Sequence, residues 1–196
     1  MNFKKHSELE GKHAFLGASK YHWLNYSNEK LAEVFLSEMA KEKGTRLHAF
    51  AAEAIDLGIF LKGRSTIALF VNESIEFGMS PETVLFYSYN CFGTADAISY
   101  EEERRKQEDG RYKKRYVLRI SDLKTGKTQA SEKQLMIYAA LFCLEYSVNP
   151  INIDMELRIY QYNEVHMYIP DPMEIIEIME IIKEFDEHIE TLKKEA

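Results

Sequence analysis

The stretches FGTADAISY (92–100) and RYVLRISDLK (115–124) decide how this chain is read. Both alternate every second residue, the period of a β-strand. In the first, Phe92, Thr94, Asp96, Ile98 and Tyr100 form one row, while Gly93, Ala95, Ala97 and Ser99 are small enough for a helix to pack closely behind them. In the second, Leu118, Ile120, Asp122 and Lys124 share a face, so an acid and then a lysine continue an apolar row. A partly buried carboxylate is costly unless it is paired or bound to a cation. Neighbouring strands lie about 5 Å apart, so one divalent ion would answer for both aspartates. Lys124 would then point at the same spot, to hold a water or a phosphate oxygen and stabilise charge developing on phosphorus. The same pattern also fits a buried Asp–Lys ion pair without function.

Working outward, the first 80 residues read as helical. Leu31, Val34, Phe35 and Met39 mark one face of a helix over 27–43, Gly44 breaks it, and a second helix runs from Thr45 to about Leu57. A third occupies 64–78. From Glu82 the pattern turns to strands, TVLFYSYN, FGTADAISY and RYVLRISDLK, which read as a meander. A helix over 131–147 follows, with Ser131 as its N-cap. IDMELRIYQY and VHMYI are two more strands, joined through Asn163-Glu164. The last helix, from Pro172, places Ile175, Ile178, Met179, Ile182, Phe185, Ile189 and Leu192 on one face and acids on the other. These elements predict an α/β fold: a central mixed sheet flanked by helices, with a helical N-terminal part. We read 1–196 as a single domain, with 1–80 helical, 81–170 carrying the sheet and catalytic core, and 171–196 the C-terminal helix.

A chain of 196 residues, 45% hydrophobic, is long enough for one real core. The two cysteines, Cys91 and Cys143, are not in a C-x-x-C pair, so neither a disulfide framework nor a cysteine metal cluster is expected. Without a signal-like or membrane-spanning run, the expected setting is the cytoplasm. The net charge of -7 is concentrated in 151–196, where twelve acids face four Lys/Arg and leave the rest near +1. The run RRKQEDGRYKKR (104–115) is the strongly cationic segment. Its residues Arg104, Arg105, Lys106, Arg111, Lys113, Lys114 and Arg115 read either as a solvated hairpin tip or as a DNA-binding, phosphate-facing element.

Four short motifs occur in order: GTRLH (44–48), GTAD (93–96), SDLKTG (121–126) and QLMIY (134–138). Together they resemble the RecB-like branch of the PD-(D/E)XK nuclease superfamily, most nearly the stand-alone phage recombination exonucleases and related CRISPR-associated nucleases. The early segment LGASKYHWLNYS (16–27) is similar to an element that opens several of those proteins. The resemblance implies a restriction-endonuclease-like core in which Asp96 and Asp122 are metal ligands. The backbone carbonyl of Leu123 would be a third ligand and His48 a fourth, with Lys124 the catalytic lysine. It also implies that Gln134 and Tyr138, one helical turn apart, approach the DNA backbone or the metal's water. Glu53 is a more distant candidate on the His48 helix. Where the branch with an iron–sulfur cluster has a cysteine, this chain has Tyr26, so no cluster is expected. Ala95 stands where the superfamily's name has proline.

The expected activity is metal-dependent hydrolysis of DNA phosphodiesters, with Mg2+ or Mn2+ as cofactor. A histidine ligand tilts the preference toward Mn2+. An exonuclease role in phage-type recombination, beside a single-strand annealing protein, follows from the resemblance. Two other classes fit the same chain: a catalytically silent nucleic-acid-binding module, and a protein that binds a partner through its acidic C-terminal helix.

Overall fold

In the computed structural model the alternating segments form strands of one sheet. The structure describes residues 7–9, 11–106, 110, 112–126 and 131–195, and for Leu9, Arg105 and Lys106 the backbone alone. The strands lie in the order β1 (Ser80–Ser88), β2 (Cys91–Lys106), β3 (Tyr112–Leu123), β4 (Ile153–Gln161) and β5 (Glu164–Tyr168). β1 to β3 are the expected antiparallel meander, β4 is parallel to β3, and β5 returns antiparallel. A parallel neighbour needs a crossover, and α3 (Lys133–Glu145) supplies it. Before the sheet come α1 (Asn28–Asp56) and α2 (Thr66–Glu76), and after it α4 (Pro172–Glu195). The architecture is α/β, a five-stranded mixed sheet flanked by helices.

The chain divides into two compact units, Met1–Thr45 and Arg46–Ala196. In the first, Trp23 Nε1 donates to the Gly17 carbonyl at 3.0 Å, and Phe15 meets Phe35 edge-on at 5.3 Å. The expected helix break at Gly44 does not occur, since α1 runs through it. A glycine costs about 1 kcal/mol in a helix interior, too little to end one between good helix formers. Thr45, expected to open a new helix, instead donates its hydroxyl to the Lys41 carbonyl one turn back, at 3.2 Å.

In the second unit, one core forms where Leu118, Ile120, Met155 and Leu157 of the sheet meet Leu135, Ala139 and Phe142 of α3 and Ile175 and Ile182 of α4. Another joins Ala51, Ala54 and Ile55 of α1 to Phe70 and Val71 of α2 and to Ala97, Leu123 and Tyr160 of the sheet. Burying a Leu or Ile side chain is worth about 1.5–3 kcal/mol. Leu118 and Ile120 are both fully buried, so this row fixes the face that Asp122 must take. α2 is tied down by polar groups. Glu73 accepts from the Tyr160 hydroxyl at 2.7 Å and pairs with Arg158, while the guanidinium carbons of Arg158 and Arg119 lie 4.4 and 4.5 Å from the centre of the Phe77 ring.

The face assignment expected along 92–100 holds only in part. Gly93 does sit tightly under α3: a Cβ there would lie 2.8 Å from the Tyr138 ring. Phe92, however, is 60% exposed. Beyond Asp96 the sides exchange. Ile98 and Tyr100 face α3, Tyr100 against Phe142 at 5.0 Å, while Ala97 enters the other core. The physical cause lies in β1. Glu82 falls opposite Asp96, between the pairs Pro81↔Ala97 and Thr83↔Ala95, and has φ +46°. That left-handed backbone is rare for an L residue and turns the ribbon locally.

Three smaller expectations are also corrected. Glu132 occupies the cap position of α3, and Ser131 accepts from the Lys133 N–H at 3.3 Å from one residue outside. The β4–β5 turn is Tyr162-Asn163, both with positive φ, because Gln161 already pairs with Glu164. On α4, Ile175 and Ile182 are buried, but Phe185 and Leu192 are exposed, so its apolar face is only half used.

Candidate functional site

The β3 row that begins with Leu118 and Ile120 delivers Asp122 into a site from which water is almost excluded, with the residue 3% exposed. Its Oδ1 accepts from Lys124 Nζ at 3.0 Å, whereas Oδ2 is buried with no partner among the described residues. Lys124 Nζ also donates to Gln134 Oε1 at 2.9 Å, and Gln134 Nε2 donates to the Tyr138 hydroxyl at 3.0 Å. The four-residue spacing of Gln134 and Tyr138 on α3 makes that last bond possible. Gly93 gives the Tyr138 ring its room. Asp122, Lys124, Gln134 and Tyr138 thus form one hydrogen-bonded chain from the sheet to the helix.

Asp96 stands beside this chain on β2. Its Oδ2 accepts from the Leu123 N–H at 2.8 Å, and its Oδ1 lies 3.3 Å from His48 Nδ1. The Leu123 N–H thus ties β3 to Asp96. Glu82 completes the group: His48, Glu82 and Asp96 each present one ligand atom within 4.8 Å of the other two. Two carboxylates and an imidazole therefore form the cluster, and Asp122 lies close enough for the Asp96 charge to act on it.

Their electrostatics record the crowding. Burial pushes the Asp122 carboxyl above its ordinary range, and the neighbouring Asp96 charge pushes it further, against the pull of Lys124. Burial and Asp96 raise Glu82 in the same way. The hydrogen bond to Asp96 holds the His48 imidazole above its ordinary value despite partial burial. Asp96 contributes to all three shifts, behind burial for the two carboxyls and foremost for His48.

A divalent cation fits what is missing. Adjacent ligands on an octahedral ion at about 2.1 Å lie roughly 3 Å apart, close to the separation of His48 Nδ1 and Asp96 Oδ1. Asp122 Oδ2, buried and without a donor among the described residues, has a lone pair free for a cation. Oxygen donors with one imidazole suit Mg2+ and Mn2+. Beside Lys124 lies a largely apolar cleft of about 300 Å³, lined by Leu47, Thr66, Ile67, Leu123 and Tyr162 among others, which the carboxylates themselves do not line.

Other expected residues lie elsewhere. Glu53 is exposed on α1. β2 and β3 continue past the sheet as a two-stranded ribbon that pairs Arg104 with Lys114 and Arg105 with Lys113. Lys114 bonds Glu102, Arg115 bonds Asp154 at 2.9 Å, and Arg104 and Lys113 are exposed. Arg111 and the side chains of Arg105 and Lys106 lie outside the described residues. The Lys114 rung is eight residues along β3 from Asp122, about 27 Å at the strand rise. The cationic run therefore stands at the far end of β3 and does not line the carboxylate site.

Glu82 is the site residue that sequence reading missed. A glutamate at the start of a strand carries no signal, and its positive φ has no sequence signature of the kind glycine or asparagine provides. No family model, no curated protein and no solved structure matches this chain. Among the described residues, no helix is long and apolar enough to cross a membrane.

Proposed function

We propose that this protein is a metal-dependent deoxyribonuclease that hydrolyses phosphodiester bonds on a restriction-endonuclease-like core of the RecB-like PD-(D/E)XK type. The observation that carries the reading is Asp122, within reach of the Asp96 charge, bonded to Lys124 through one oxygen while the other is buried without a partner among the described residues. A binding module without chemistry gains nothing from keeping an uncompensated buried carboxylate, which costs stability unless a cation meets it.

Asp96, Asp122, Glu82 and His48 are the residues that would hold Mg2+ or Mn2+. The ion, when bound, supplies positive charge to the phosphate and lowers the pKa of the attacking water. The protein's own share is positioning. Lys124, held between Asp122 Oδ1 and Gln134 Oε1, keeps a fixed ammonium to stabilise negative charge as it gathers on the phosphate oxygens. Tyr138 fixes Gln134, and through it the direction in which Lys124 points. Hydrolysis then breaks one P–O bond, with water supplying both the new oxygen and the proton for the leaving group.

The order and spacing of the four motifs support a finer placement, an exonuclease of phage-type recombination acting beside a single-strand annealing protein in the cytoplasm. Incubating the protein with linear and circular DNA in Mn2+ and in Mg2+ tests both levels. The expected result is loss of linear DNA with circular DNA spared, and no cleavage by Asp122→Asn or Lys124→Ala. Cleavage of circles would remove the exonuclease assignment. No cleavage by folded wild type in either metal would return the chain to the silent binding module.

A further inference from the structure

The outer side of the β1–β2 hairpin carries an aromatic row that the proposed chemistry does not use. Phe86 and Phe92 pair across the hairpin, their rings 6.4 Å apart and tilted by only 31°, and Tyr89 at the turn meets Phe86 edge-on at 5.5 Å. Phe92 is 60% exposed and Tyr89 89%. These rings are not needed for the core, because Leu85, Gly93 and Ala95 fill the opposite side under α3. Exposed aromatics grouped in this way are uncommon on a surface without a partner. The hairpin that presents them is rigid: Ser88 and Asn90 both bond Asp186 of α4, at 2.5 and 2.7 Å.

What identifies the occupant is where the row leads. Along the exposed side the rungs run Phe86↔Phe92, then Val84↔Thr94, and the next rung is Glu82 opposite Asp96. The aromatic pair and the carboxylates are consecutive members of one row, four residues from end to end. That is about 13 Å, the span of roughly four stacked nucleotides and fewer in a drawn-out strand. Unpaired bases stack on aromatic side chains whatever their sequence, whereas inside a paired duplex both faces of each base are already stacked on neighbouring pairs.

We propose that Phe86, Phe92 and Tyr89 form a stacking platform for the bases of a single DNA strand whose phosphate lies at Asp96. The substrate class is then DNA with an unpaired stretch within about four nucleotides of the bond to be cut. This inference rests on the nuclease reading above, which names the phosphate site.

The test is binding of a short single-stranded oligonucleotide carrying 2-aminopurine near its end, with Ca2+ in place of Mn2+ so that nothing is cut. Wild type is compared with Phe86→Ala/Phe92→Ala and with Phe92→Leu, which keeps apolar bulk and loses the ring. Stacking predicts quenched 2-aminopurine emission in wild type and affinity at least about fivefold weaker for each ring removed. Phe92→Leu should show the full loss of about fivefold expected for one ring, with Mn2+ affinity unchanged and blunt duplex bound as before. Unchanged single-strand affinity would overturn the platform, as would full rescue by leucine. Wild-type self-association that the alanine pair abolishes would also overturn it, assigning the face to a second copy. Mn2+-dependent cleavage by wild type is scored separately, so a failed nuclease reading and a failed platform are told apart.

Discussion

Asp122 gives one carboxylate oxygen to Lys124 at 3.0 Å and leaves the other, shielded from water, without a donor among the described residues. The charge is thus half compensated in the metal-free protein. Asp122→Asn removes it at nearly constant shape, so the metal-free variant is expected to melt no lower than wild type, and higher by roughly 2–4 °C for each kcal/mol relieved. Lys124→Ala is expected to lower DNA cleavage by about 10²–10³-fold, as for other fixed donors that face developing charge, and Asp122→Asn by at least as much. Thermal melts in EDTA with cleavage assays in Mn2+ check both, and full activity in either variant would remove the site assignment.

Glu82 and His48 face each other across Asp96, which predicts that both bear on the metal. Glu82→Gln should weaken Mn2+ binding by about tenfold or more, the scale at which even residues behind the ligands act. Calorimetric titration would show it. An imidazole ligand raises preference for Mn2+ over Mg2+, so wild type should be more active with Mn2+, and His48→Ala should narrow the difference. Equal wild-type rates with both metals would count against His48 as a ligand.

The raised His48 and Asp122 groups set a direction with pH. Each has a folded pKa above its unfolded value, so its favourable contribution is complete below the unfolded value and is lost as pH rises through the folded one. As pH rises from the ordinary aspartate range to above the ordinary histidine range, these two groups therefore make the metal-free protein less stable, a slope that Asp122→Asn should flatten at its acidic end. Metal binding runs the other way, because protons compete for the same atoms. The rise in melting temperature produced by Mn2+ should grow with pH over that window. A metal-induced rise independent of pH would contradict the ligand set.

Arg104 and Lys113, exposed on the ribbon about 27 Å from Asp122, are expected to touch phosphates and not the reacting one. Changing both to Gln should reduce the slope of log affinity against log salt by about 0.9 for each phosphate no longer neutralised. The cleavage rate at saturating DNA should stay the same. An unchanged salt slope would leave the ribbon a solvated tip.

Much of the site was legible because it is local. The row Leu118, Ile120, Asp122 and Lys124 holds its face, since period two along a strand with a buried side leaves no other choice. Gln134 and Tyr138 meet because four residues make one helical turn, and Gly93 marks the close approach of a helix. The break expected at Gly44 was a local rule overridden, because about 1 kcal/mol of propensity yields to a helix continued on both sides.

By itself, the sequence determined the α/β class, the strands and which residues of β3 and α3 share a face, all consequences of backbone periodicity and apolar burial. The tertiary structure alone decided the rest. It brought Glu82 to His48 and Asp96, exchanged the sides of β2 at Asp96, and set the cationic ribbon at the far end of β3. These depend on cross-strand register and on one positive φ at a glutamate. Neither is written in the spacing of residues along the chain, because each is fixed by pairing between segments that fold onto one another.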